Sequence, residues 1–132
     1  MVASGDDAVT AYDALVAPDP AAWLALDEGE RTHLVLAYHQ REGANASRAD
    51  AHAVAHTIIE TQLAEGLPAA RDALARLLSE GLDRHDAVHA LAAVLMEHMS
   101  NLMNRRVPAG DPNAPYFAAL EKLTAATWQR RT

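Results

Sequence analysis

The sequence predicts an all-α protein, an up-down bundle of about five to six helices, and three observations carry that expectation. Half of the 132 residues are apolar, yet the payload is Ala and Leu with a single Phe and few β-branched side chains, a composition that favours helix over strand. Apolar residues recur at helical spacing through most of the chain. Pro, Gly and acidic capping residues fall between those periodic stretches, where helix ends belong. A chain of this length suits one domain with one core, so residues 1–132 are expected to form a single helical domain.

A short N-terminal helix is expected over 7–16, stopped by Pro18 and Pro20. The central bundle spans 20–105. Its first helical region starts at Pro20 or Asp27, carries Trp23, Leu24, Leu34, Val35 and Tyr38, and ends around Glu42-Gly43, with Gly29 as a break point. Ser47-Arg48-Ala49-Asp50 reads as a capping box for the next helix, whose apolar positions are Val54, Ile58, Ile59 and Leu63, up to Glu65-Gly66. Pro68 opens a helix at its first turn; it presents Leu74, Leu77 and Leu78 and stops at Gly81. Asp83 to Asp86 is a second acidic capping pattern, and the helix after it carries Val88, Leu91, Leu95, Met99 and Leu102 up to about Arg105. A Pro- and Gly-containing loop over 107–115 then leads into a C-terminal helix within 112–131.

Composition also narrows function. The absence of Cys excludes thiolate metal sites, disulfides and cysteine nucleophiles together, so a transition metal here would be held by His, Asp or Glu. A formal charge of −7 opposes a nucleic-acid groove, and Arg105-Arg106 and Arg130-Arg131 sit at expected helix ends, where cations complement the macrodipole. No stretch approaches the apolar length of a membrane span and no leader pattern is visible, so a cytoplasmic location is expected, without a membrane partner. Neither a phosphate-cradling Gly-rich loop, a His-Glu-x-x-His pattern nor a nucleophile elbow is present.

The chemistry concentrates in the histidines, of which there are seven. His52/His56 and His85/His89 are two His-x-x-x-His pairs, each placing both imidazoles one turn apart on one helix face. At a rise of about 1.5 Å per residue, the expected third helix climbs about 27 Å and the fourth descends about 20 Å. With short connections and antiparallel neighbours, the two pairs then stand at one level, and His39 joins them from the end of the preceding helix. Glu60 continues the His52/His56 face by another turn. The expected ligands are therefore His39, His52, His56, Glu60, His85 and His89, around zinc or iron. His33 and His98 fall about 9 Å and 13 Å from the nearest of these and are assigned to surface or packing. Asp86 reads as a helix-cap acid, and Tyr38 and Trp23 as core aromatics.

The stretch from Tyr38-His39, through His52-Ala-Val-Ala-His56-Thr-Ile-Ile-Glu60, to Arg84-His85-Asp-Ala-Val-His89 resembles a group of small bacterial helical proteins of unknown function. The likeness covers about the central half of the chain. It implies that these residues act as a set and implies no reaction. In ligand pattern the chain is also distantly similar to hemerythrin-like oxygen-binding proteins, which combine a lone His, His-x-x-x-Glu and His-x-x-x-His with a C-terminal His-x-x-x-x-Asp. His39, His56/Glu60 and His85/His89 follow the same order, but no histidine follows His98 to supply the last element. His85-Asp86 is a weaker likeness to metal-dependent phosphohydrolases, whose pattern a downstream Asp completes; Asp111, in the expected loop, is the only downstream Asp.

Three function classes stay open on these grounds. The first is a transition-metal site between helices; with an open coordination position the ion would activate water or bind oxygen, and Glu60 would be placed as a general base. The second is a non-enzymatic interaction module with a buried or pH-responsive histidine cluster. The third is a hemerythrin-like di-iron protein. The Leu120, Leu123 and Trp128 face and the apolar stripe of the fifth helix would close a core or a homodimer interface equally well.

Overall fold

The computed structural model describes residues 9, 11–41, 46–107 and 109–131, and the side-chain surroundings of all these except 46–50, 130 and 131. The protein is all-α: among the described residues there are seven helices and no strand. The chain divides into two compact units, Met1–Gly66 and Leu67–Thr132.

The first unit contains α1 (Pro20–Ala25), α2 (Glu28–Arg41) and α3 (Ala46–Ala64), with α3 packed on both of the others. Asp19 caps α1 by accepting from the Ala22 amide at 3.0 Å, and Pro20 occupies a first-turn position where a missing N–H costs nothing. The expected single helical region is split, at Leu26-Asp27 and not at Gly29. Asp27 and Glu30 exchange bonds reciprocally, Asp27 N–H to Glu30 Oε1 at 3.0 Å and Glu30 N–H to Asp27 Oδ1 at 2.7 Å, a capping box that starts α2. Arg31 fastens the break. Its Nε and Nη2 donate to the Trp23 and Leu24 carbonyls, both at 3.0 Å, satisfying acceptors at the end of α1.

The helix expected over 7–16 is not present over 11–16, and its residues 7, 8 and 10 lie outside the described part. Tyr12 and Ala14 are buried while Ala11, Asp13 and Leu15 are exposed, an alternation of period two that a helix would not give. The segment instead inserts Tyr12 into the core of this unit, where its ring meets Trp23 at 5.9 Å and Tyr38 edge-on at 5.4 Å between centroids. Arg41 holds the segment by donating to the Tyr12 carbonyl at 3.1 Å. The expected helix end at Glu42-Gly43 and the capping box from Ser47 to Asp50 lie outside the described residues and side chains.

The inward face of α3 differs from the apolar one read from the sequence. Ala53, His56, Thr57 and Glu60 are all buried, at i, i+3, i+4 and i+7, with Ile59 beside them, whereas Val54 is 45% exposed. Polar residues thus occupy the buried stripe of this helix.

The second unit contains α4 (Pro68–Ser79), α5 (Arg84–Met103), α6 (Ala114–Lys122) and α7 (Ala125–Arg131), with α4, α5 and α6 packed on one another. Pro68 opens α4 as expected, and Gly81 follows it at φ 103°, a left-handed conformation that suits glycine. The buried line of α4 is Ala70, Ala73 and Leu77, so Leu78 points outward at 41% exposure. Asp83 caps α5 by accepting from the Asp86 amide at 2.8 Å. The inward line of α5 runs Val88, Leu91, Leu95 and His98; Met99 and Leu102, expected inside, are exposed.

The expected C-terminal helix is two helices, broken at Leu123-Thr124. Thr124 N–H donates to Thr127 Oγ1 at 3.0 Å and Thr127 N–H to Thr124 Oγ1 at 3.1 Å, a reciprocal cap that starts α7. Arg76 of α4 stabilises the break by donating from Nε to the Leu123 carbonyl at 2.8 Å and from Nη2 to the Leu120 carbonyl at 2.6 Å.

Candidate metal centre

In the first unit, α2 and α3 bring His39 and His56 together. Their ring centroids are 4.5 Å apart at 79°, and one nitrogen of each lies within 4.8 Å of the other. Two zinc-bound imidazole nitrogens, each about 2.0–2.1 Å from a shared ion, would be separated by less than that, so a modest side-chain adjustment brings both onto one metal. Both residues are buried, His39 at 5% and His56 at 0% exposure. His52, one turn earlier on α3, is half-buried, with its ring 6.2 Å from that of His39.

The chemistry of His39 is set by its backbone neighbour. His39 Nδ1 lies 2.8 Å from the Val35 carbonyl oxygen, four residues earlier on α2. A carbonyl only accepts, so Nδ1 carries the proton, and in the neutral ring Nε2 is then the atom with the lone pair. Donation of one ring N–H to a backbone carbonyl, leaving the other nitrogen to ligate, is how metal-binding histidines are oriented. The Tyr38 ring, edge-on at 5.7 Å, flanks the same imidazole.

Glu60 is also buried, at 2% exposure, one turn beyond His56 on the same face of α3. Its Oε2 accepts a hydrogen bond from the Tyr12 hydroxyl. Trp23 Nε1 donates to Thr61 Oγ1 at 3.2 Å beside it, tying α1 to the same stretch of α3. Tyr12 was not anticipated from the sequence as a partner of the site. Nothing in the sequence signalled it: Ala11-Tyr12-Asp13-Ala14-Leu15 has no alternation of polar and apolar residues, and only their burial in the fold alternates.

In the second unit, α5 carries His85 and His89, both half-buried, with ring centroids 4.6 Å apart at 86°. One turn of helix thus places the two imidazoles in contact, as the spacing predicts. Asp86 is exposed at the capped start of α5, in keeping with a cap position. His33 is exposed on α2, whereas His98 is buried within the second unit and stacks on Tyr116 at 5.5 Å and 25°. Asp111, the acid of the phosphohydrolase comparison, is an exposed loop residue whose Oδ1 accepts from the Asn113 amide.

No helix among the described residues is long and apolar enough to cross a membrane. Comparisons with protein-family models, with curated proteins and with solved structures found no match.

Proposed function

We propose that this chain binds a transition-metal ion, zinc or iron, through His39 and His56 of the first unit, with His52, one turn earlier on α3, as a third ligand. The observation that carries this reading is the His39–His56 pair itself: two buried imidazoles from different helices, one of them held by the Val35 carbonyl in the tautomer that ligates through Nε2. Burying two imidazoles side by side removes them from water, which a shared cation offsets. Glu60 flanks the ion in this reading, with its carboxylate steadied by Tyr12.

Three imidazole ligands leave one position of a tetrahedral ion for water, the composition of a hydrolytic zinc centre; iron would instead suit oxygen chemistry. The test is a competition titration of tag-free protein against a chromophoric zinc chelator. The parent is expected to take up one equivalent, with His39→Ala and His56→Ala each weakening binding by at least about tenfold, in line with the loss of a coordinate ligand. His33→Ala, on the exposed face of α2, is expected to match the parent. A parent that removes no zinc from the chelator would leave a buried histidine network of an interaction module as the reading.

A further inference from the structure

A separate feature of the second unit is carried by sulfur. Three of the four methionines of the chain, Met96, Met99 and Met103, lie in the C-terminal half of α5 at i, i+3 and i+7. That spacing sets them in one row on one helix face. All three are exposed, at 38%, 41% and 82%, although methionine is among the residue types most often fully buried. The core does not need them, since Val88, Leu91, Leu95 and His98 form the inward line of the same helix.

Helix formation does not call for methionine here either, because leucine has the same propensity. What methionine adds to leucine is a polarisable thioether at the end of three rotatable bonds. Positions three or four apart on a helix have Cβ atoms about 5–6 Å apart. Met96 with Met99, and Met99 with Met103, are therefore close enough to turn two Sδ atoms onto one ion, and Met99 is common to both pairs. The chain has no Cys, so thioethers are its only sulfur ligands. Thioether sulfur is soft and suits copper(I). The expectation that a transition metal would be held by His, Asp or Glu passed over this donor.

We propose that the row Met96, Met99 and Met103 binds a soft monovalent metal ion, copper(I), through Met99 and its neighbours one turn away. The row shares no residue with the His39–His56 site, and the two differ in the ions their donors select: thioethers for copper(I), imidazoles for zinc or iron. Leu102, also exposed, borders the row. An apolar contact surface would use the same side chains, but for that role leucine serves as well as methionine. The two roles part when sulfur is removed and apolar volume is kept.

The test titrates the full chain, carrying isotope-labelled methionine methyl groups, with silver(I) in chloride-free buffer as a redox-stable stand-in for copper(I), and with zinc as the control. Saturable shifts of the Met96, Met99 and Met103 methyl resonances, assigned from single Met→Leu variants, are expected with silver(I) and not with zinc. Competition for copper(I) against bicinchoninate then gives the affinity. Met99→Leu is expected to weaken it by at least about tenfold, through loss of the shared ligand, when both proteins also carry His39→Ala and His56→Ala to remove uptake by imidazole. Leucine conserves volume at an exposed position, so Met99→Leu alone is expected to fold and to take up zinc as the parent does. Methyl resonances that silver(I) leaves unmoved, parental copper(I) affinity in the Met99→Leu protein, or an equal response to zinc would overturn the proposal and leave the row an apolar contact surface.

Discussion

The His39–Val35 hydrogen bond turns a buried imidazole into an oriented lone pair. A second side chain with a comparable role is Tyr12, whose hydroxyl donates to the buried Glu60 carboxylate. Tyr12→Phe removes that donor without changing the shape of the core, leaving the carboxylate short of a partner it has in the native state. The expected cost is about 1–3 kcal/mol, read as a lower urea midpoint at unchanged m-value. Glu60→Gln, which can still accept from the hydroxyl, is expected to lose less than Glu60→Ala. An unchanged midpoint in Tyr12→Phe would mean the contact contributes nothing. That His52, His56 and Glu60 share a face of α3, and His85 and His89 a face of α5, was legible in the sequence, because His-x-x-x-His and His-x-x-x-Glu spacing places side chains on one helix face whatever surrounds them. The Val35 carbonyl and the Tyr12 hydroxyl were not, since a backbone acceptor is invisible in sequence and Tyr12 reaches Glu60 across 48 positions of chain.

Helices were easier to anticipate than their inward faces. The starts of α4 and α5 follow from Pro68 and Asp83, whose local chemistry is independent of tertiary context. Asp83→Ala is expected to destabilise the protein by about 1 kcal/mol through loss of the bond to the Asp86 amide, and Asp83→Asn or Asp83→Ser to restore most of it, measured by thermal unfolding. Breaks inside a helical pattern were harder. Residues 123 and 124 carry neither Gly nor Pro, and the stop there is made by the Thr124–Thr127 cap and by Arg76 reaching from α4. Arg76→Lys is therefore expected to destabilise nearly as much as Arg76→Ala, because one ammonium does not reproduce a guanidinium fork spanning two carbonyls. Rescue by lysine would show that charge alone matters. On α3, hydrophobic patterning selected Val54 and missed the buried line of His56, Thr57 and Glu60, since a scale that treats polar residues as external cannot see a buried polar face.

At the scale of the whole molecule, an all-α protein was legible from composition and period alone, while the division into the units Met1–Gly66 and Leu67–Thr132 was not. Both units have the same Ala- and Leu-rich character, so no compositional shift marks residue 66. Metal binding is expected to register globally: an ion that binds only the folded chain adds about 2.7 kcal/mol at a free concentration of one hundred times its dissociation constant. Addition of zinc should therefore raise the unfolding temperature, and a chelator should reverse the rise. Acidification should weaken the effect, because protons and the ion compete for the same ring nitrogens.

The most direct measurement is metal content by plasma mass spectrometry on protein purified without an affinity tag, beside the double variant His39→Ala, His56→Ala. About one equivalent of zinc or iron in the parent and none in the folded variant is the result expected of a site built on these two imidazoles. A folded parent that holds no metal and takes up none on reconstitution, or a folded variant that retains the full equivalent, would contradict it.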